Sequence, residues 1–150
     1  MSIKERLRAD LTEAIRGHNE ITSSTIRMVL TAITIEEVAG KQARVLSDDE
    51  IITILSREAK KRREASEAFE SANRADRAAL EKAEGLVIAK YLPEQLHIDD
   101  LKKMIADAIA LTGAGGPADM GRVMAVVKPL VAGKADGSIV STLVKEALNK

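Results

Sequence analysis

From the second residue onward, apolar side chains recur three and four positions apart. No stretch alternates apolar with polar residues at the two-residue period of a half-buried strand. Only Pro93, Pro117 and Pro129 punctuate the pattern. A chain patterned this way buries its apolar surface by packing helix against helix, so the expected fold class is all-α.

Seven helices fit the period. The first runs from about Ser2 to Arg16, with Ile3, Leu7, Leu11, Ala14 and Ile15 in one stripe. Ser2 and Glu5 have the spacing of a capping box, and Gly17 suits the residue just past the end. The second covers about Glu20 to Ala39. It carries two stripes, Ile26-Val29-Leu30-Ile33 and Met28-Ala32-Ile35, which predicts contacts on two sides. The third starts at the capping box Ser47-Asp48-Asp49-Glu50 and reaches about Asn73, which makes it ~40 Å long. Its apolar side, Ile51, Ile52, Leu55 and Ala59, thins to Ala65, Ser66 and Ala68 before Phe69. Lys60–Glu64 and Arg63–Glu67 are spaced for i,i+4 pairing. The fourth starts near Asp76 and stops before Pro93, with Leu80, Ala83, Val87 and Tyr91 in its stripe.

Composition then shifts, because residues 93–150 hold six of the nine glycines and all three prolines. A boundary at Leu92–Leu96 divides the chain into residues 1–92, an N-terminal bundle of about four helices, and residues 93–150, a small three-helix domain. The three helices span about Ile98–Thr112, Pro117–Val131 and Gly137–Leu148. Leu101, Ile105, Ala108 and Ile109 face inward on the first, Met120, Val123, Met124 and Val127 on the second. Ile139, Val140, Leu143 and Val144 do so on the third. Pro117 suits a first helical position, Pro129 threatens a kink in the last turn, and Asp136 is a cap.

Composition excludes several chemistries. There is no Cys, hence no disulfide scaffold, thiolate metal site or cysteine nucleophile. No apolar run reaches the ~18 residues of a membrane span, and the N-terminus lacks a secretory core. The expected location is cytoplasmic. The 23 basic and 23 acidic residues cancel, so any nucleic-acid contact is a local patch. Phe69 and Tyr91 are the only aromatics, too few for base stacking, and RNA contact would run through charge, helix ends and shape.

No catalytic constellation emerges. His18 and His97 follow turns and lack metal-ligand spacing, so no metal or cofactor is expected. Thr22-Ser23-Ser24-Thr25 lacks a nucleophile-elbow context, and Gly113–Gly121 lacks the lysine of a phosphate loop. Asp48/Asp49 and Asp99/Asp100 fall in first helical turns, where the dipole explains them.

Two basic groupings remain. Lys60–Arg63 fans around the third helix. From Gly113 on, Arg122, Lys128, Lys134, Lys145 and Lys150 face three acids, Asp119, Asp136 and Glu146, a local charge of +2. Arg122 near one helix start and Lys134 in a Gly-rich turn could meet phosphates beside the N–H groups of Gly116 and Gly137.

Five segments occur in register along the chain: Ser24-Thr25-Ile26-Arg27, Lys61-Arg62-Arg63-Glu64, Tyr91-Leu92-Pro93-Glu94-Gln95-Leu96, Asp119-Met120-Gly121-Arg122-Val123-Met124 and Gly133-Lys134-Ala135-Asp136-Gly137. With Val140-Ser141 and Leu143-Val144-Lys145 they resemble the YqeY-like family over nearly the whole chain. That family is similar to the C-terminal tail of the B subunit of the tRNA-dependent amidotransferase. The resemblance implies an all-helical protein of two parts and a tRNA-contacting module without the amidotransferase centre. A family-level label of carbon–nitrogen ligase activity, with glutamine as amido-nitrogen donor, follows by inheritance. Two positions depart from the pattern: Ala118 stands where relatives often have Lys, and His97 where a Ser or Thr cap is usual. The second predicts a fifth helix weakened by ~1 kcal/mol.

The expected function is therefore a non-catalytic tRNA-binding module, alone or beside a translation-related protein. Arg122, Lys128, Lys134 and Lys145 are the candidate phosphate contacts, with Arg62 and Arg63 as a second patch. The competing reading is a protein-interaction helper that binds no RNA.

Overall fold

A computed structural model describes residues 1–149. It contains α1 (Ile3–Arg16), α2 (Glu20–Glu37), α3 (Asp48–Ser71), α4 (Ala75–Ala89), α5 (Ile98–Thr112), a 3-10 turn (Pro117–Asp119), α6 (Met120–Val131) and α7 (Gly137–Leu148). Among the described residues there is no strand. The chain divides into two compact units, Met1–Leu92 and a second beginning at Pro93. Among the described residues, no helix is long and apolar enough to cross a membrane.

Local chemistry sets the helix starts. Ser2 accepts from the Glu5 amide while Glu5 bonds back to the Ser2 amide, and Ser47 and Glu50 repeat the arrangement on α3. Each box satisfies donors that a helix leaves orphaned. His97 caps α5 without a side-chain hydrogen bond. The end of α1 departs from expectation: Gly17 has φ −83°, and the left-handed residue is His18 at φ 53°. The His18 amide bonds to Ile15 O and the Asn19 amide to Ala14 O, a Schellman closure. Asn73 at φ 58° closes α3 the same way.

In the first unit α2 packs against α1, α3 and α4. Ile3, Leu7, Ile26, Val29, Ile33, Leu46, Ile51, Ile54, Leu55, Val87, Ile88 and Tyr91 form its core. Each fully buried side chain of this size contributes roughly 1.5–3 kcal/mol relative to exposure. Only one α2 stripe is buried. Of the other, Met28 and Ala32 are half-buried and Ile35 is 62% exposed. Ile15 and Leu80, both assigned to inward stripes, are exposed too.

The core ends before the α3–α4 hairpin does. From α3 it takes residues up to Leu55, with Ala59 partly buried against it, and from α4 only Val87 and Ile88. Beyond Ala59, α3 runs another ~18 Å to Ser71. There the seam is filled by Ala78, Ser66 and the charged Arg62, with Glu58 at the edge of the apolar core, all buried.

The second unit packs α5, α6 and α7 pairwise around Leu101, Ile105, Ala108, Val123, Val127, Val131, Val140, Val144 and Leu148. Ile139, expected inward, is exposed: Val140, Val144 and Leu148 fill the seam at i, i+4, i+8, and Ile139 lies off it. The sixth helix begins at Met120, because Pro117–Asp119 winds as a 3-10 turn. Pro129 lies inside α6, which continues to Val131. The Leu96 amide bonds to Lys134 O at 2.9 Å, and Gln95 Nε2 donates to Gly133 O at 2.8 Å. Pro93–Leu96 is thereby tied to the α6–α7 turn.

Candidate nucleic-acid interface

Of the six cations proposed for RNA, the structure removes Arg62 from the surface. It is 9% exposed and pairs with Glu58 Oε2 at 3.2 Å and Glu84 Oε2 at 3.1 Å, with Glu81 Oε2 at 3.9 Å. A guanidinium buried among three carboxylates cannot reach a phosphate without breaking those pairs. The physical reason is rotation: Arg62 lies four residues from Glu58 on the α3 face turned to α4, whereas its neighbour Arg63 points outward. Arg63 is exposed on the rim of a 550 Å³ cavity between α3 and α4, with Glu67, Glu70 and Lys82 around it. Arg62 and Arg63 therefore do not form one patch.

Arg122 is exposed but engaged. Its Nη2 donates to Asp119 Oδ1 at 2.7 Å and its Nη1 to Thr112 O at 3.3 Å. Asp119 also accepts from the Gly115 amide at 2.9 Å. That amide, then Arg122, and last the Gly116 amide hold the Asp119 carboxyl below the usual range against the opposing cost of desolvation. The Gly-rich loop amides expected to await a phosphate thus already face an internal carboxylate.

Lys128, Lys134 and Lys145 remain. All three are exposed, and among the described residues none has a carboxylate within ion-pair distance. Lys128 and Lys145 lie in the last turns of α6 and α7, where they complement the helix dipole. Lys134 sits in the α6–α7 turn beside a 320 Å³ pocket lined by Glu94, Gln95, Leu96, His97 and Asp100. Arg122 and Lys128 are six residues apart, about 120° around α6 and about 9 Å along it, so they do not share a face. Across residues 93–150 the balance is even. Lys102 and Lys103 with the five cations already named make seven, and Glu94, Asp99, Asp100 and Asp107 with the three acids make seven.

A third cavity of 390 Å³ lies between α5 and α7, lined by Ile105, Ala106, Ile109, Leu143 and Ala147, with Lys102 and Glu146 at its edge. Among the described residues no group of three or more His, Cys, Asp or Glu is placed to hold a metal ion. The Glu58–Arg62–Glu84 cluster is what sequence reasoning missed. The i,i+4 spacing of Glu58 and Arg62 was its visible signal.

Over 89 residues the chain is 29% identical to a protein of Schizosaccharomyces pombe described as "Uncharacterized protein C22F3.15", the alignment covering 59% of this chain and 70% of that protein. The sequence pattern described as "Yqey-like protein" matches residues 4–148. The chain therefore belongs to the YqeY-like family.

Proposed function

We propose that this chain is a non-catalytic tRNA-binding module, an accessory to tRNA-dependent amidation of the kind its resemblance to the amidotransferase tail implies. The observation that carries the reading is the set of exposed, unpaired lysines of the second unit: Lys128, Lys134 and Lys145. Arg122 is exposed although it pairs with Asp119, and of the two candidates in the first unit Arg63 is the one at the surface. Contacts of this type neutralise phosphates and carry no base information. The module would hold the tRNA body and leave nucleotide identity to other proteins.

The test is a fluorescence-anisotropy titration of total tRNA at low salt with the whole chain. The expected result is binding that Lys134→Glu plus Lys145→Glu abolishes while the helical content stays unchanged. Absence of binding by the unmodified chain, or equal binding by the double variant, rejects the reading.

A second reading, a protein-interaction helper, is favoured by one specific feature. The apolar α5–α7 cavity, floored by Ile105, Ile109 and Leu143, has the form of a groove for a partner's side chains. A complex recovered from lysate that survives nuclease treatment and is lost with Leu143→Glu would support it over the RNA reading.

A further inference from the structure

The outer half of the α3–α4 hairpin is held by charge where the rest of the first unit is held by apolar contact. Arg62 Nε is shared by two carboxylates of α4, at 3.1 Å from Glu84 Oε2 and 3.9 Å from Glu81 Oε2. The Glu84 approach lacks hydrogen-bond alignment, so this buried Nε–H is not satisfied by it. On α3, Glu58 takes Arg62 Nη1 on one oxygen and Lys61 on the other, at 3.2 and 3.1 Å. Excess negative charge therefore falls on Glu81 and Glu84, one turn apart on α4. Other charged groups along the hairpin seam are Arg63, Glu67, Glu70, Lys82 and Arg77; Lys82 pairs with Glu70 across it and the Arg77 guanidinium lies over the Phe69 ring. From α2 the cluster receives Met28, whose Sδ meets Arg62 Nη2, while Arg27 is exposed.

We infer that the Arg62–Glu81–Glu84 cluster is a proton-sensitive clasp: a proton taken up by the two α4 carboxylates tightens the outer half of the hairpin, and its loss loosens it. One guanidinium nitrogen cannot neutralise two carboxylates at once. With both ionised, closure of α4 on α3 takes the Glu84 carboxylate out of water, and in that less polar seam the neighbouring Glu81 charge adds to the cost. With one protonated, the pair becomes a single acid–carboxylate unit sharing Arg62. Glu84 is the group that takes the proton. Burial and then the neighbouring Glu81 push its carboxyl above the ordinary range, while Arg62 pulls the other way. The sign follows: the folded state binds the proton more tightly than the unfolded chain, so closure weakens as pH rises through the interval above 4.5. The 550 Å³ cavity along the same seam leaves room for this movement.

The experiment is hydrogen exchange of residues 66–82 in the whole chain, comparing wild type with Glu84→Gln at matched pH. At about pH 7.5 the variant should exchange at least about threefold more slowly, and at about pH 4 the two should agree. Equal exchange at pH 7.5, or faster exchange in the variant, overturns the inference. Should the variant fail to fold, NMR titration of the wild-type carboxyls decides. A Glu84 midpoint above that of exposed Glu94 upholds the clasp, and one at or below it overturns it.

Discussion

Arg62→Ala and Arg63→Ala change adjacent residues of one helix and should behave as opposites. Arg62 is 9% exposed and shared by Glu58, Glu81 and Glu84. Removing one partner of a buried charge cluster leaves the others uncompensated, at a cost of ~3–5 kcal/mol. Loss of the guanidinium contact with Met28 Sδ adds to it. Against a total stability of ~5–15 kcal/mol this is a large fraction. For a unit the size of Met1–Leu92, each kcal/mol moves Tm by about 4–8 °C, so the first unit should melt at least about 12 °C lower. Arg63 is exposed, and its alanine variant should shift stability by no more than ~0.5 kcal/mol. Differential scanning calorimetry of the whole chain reads both. An Arg62→Ala loss below about 3 °C, or one equal to that of Arg63→Ala, would refute the assignment of Arg62 as the buried tie of the hairpin.

Three further outcomes are expected. Ile105→Ala should cost ~2–5 kcal/mol, which approaches all that so small a unit holds, so amide NMR should show the second unit unfolded while the first keeps its dispersion. Ser47→Ala removes half of a capping box and should lower stability by ~1 kcal/mol in urea titration, with an unchanged m-value. Glu5 and Glu50 are held low chiefly by the Ser2 and Ser47 amides, and Glu37 by Lys4. Asp76 is held low chiefly by Arg74 and Asp119 by the Gly115 amide. Their stabilisation is present above the unfolded values of 4.5 and 3.8 and is lost as pH falls through the lower folded values, so thermal scans should show Tm declining in that acid window.

What the sequence made legible follows from how local each rule is. The capping boxes at Ser2 and Ser47 need four residues, and both form as read. The inward stripes of α5 and α6 follow from period alone, and Leu101, Ile105, Val123 and Val127 are buried. Ile139, Leu80 and Ile35 were not legible, because which edge of an apolar stripe is covered depends on where the neighbouring helix lies. Gly17 misled for a different reason. Glycine permits the left-handed turn, but Gly17 is the cap residue at φ −83° and the turn falls on His18. Arg62 was the costliest misreading among the site residues. Its carboxylate partners Glu81 and Glu84 lie about twenty positions on, and only the register of α3 against α4 brings them to it. The tie between Asp119 and Arg122 was visible as i,i+3 spacing, yet its competition with a phosphate appears only once Asp119 also caps the Gly115 amide.

The proposed engagement of an RNA backbone by the second-unit lysines is read from the salt dependence of tRNA affinity. Neutralising a few phosphates predicts a log–log slope of about −2 to −4, falling by about one for each of Lys128, Lys134 and Lys145 changed to Gln. A slope near zero, or one that ignores those three substitutions, would contradict it.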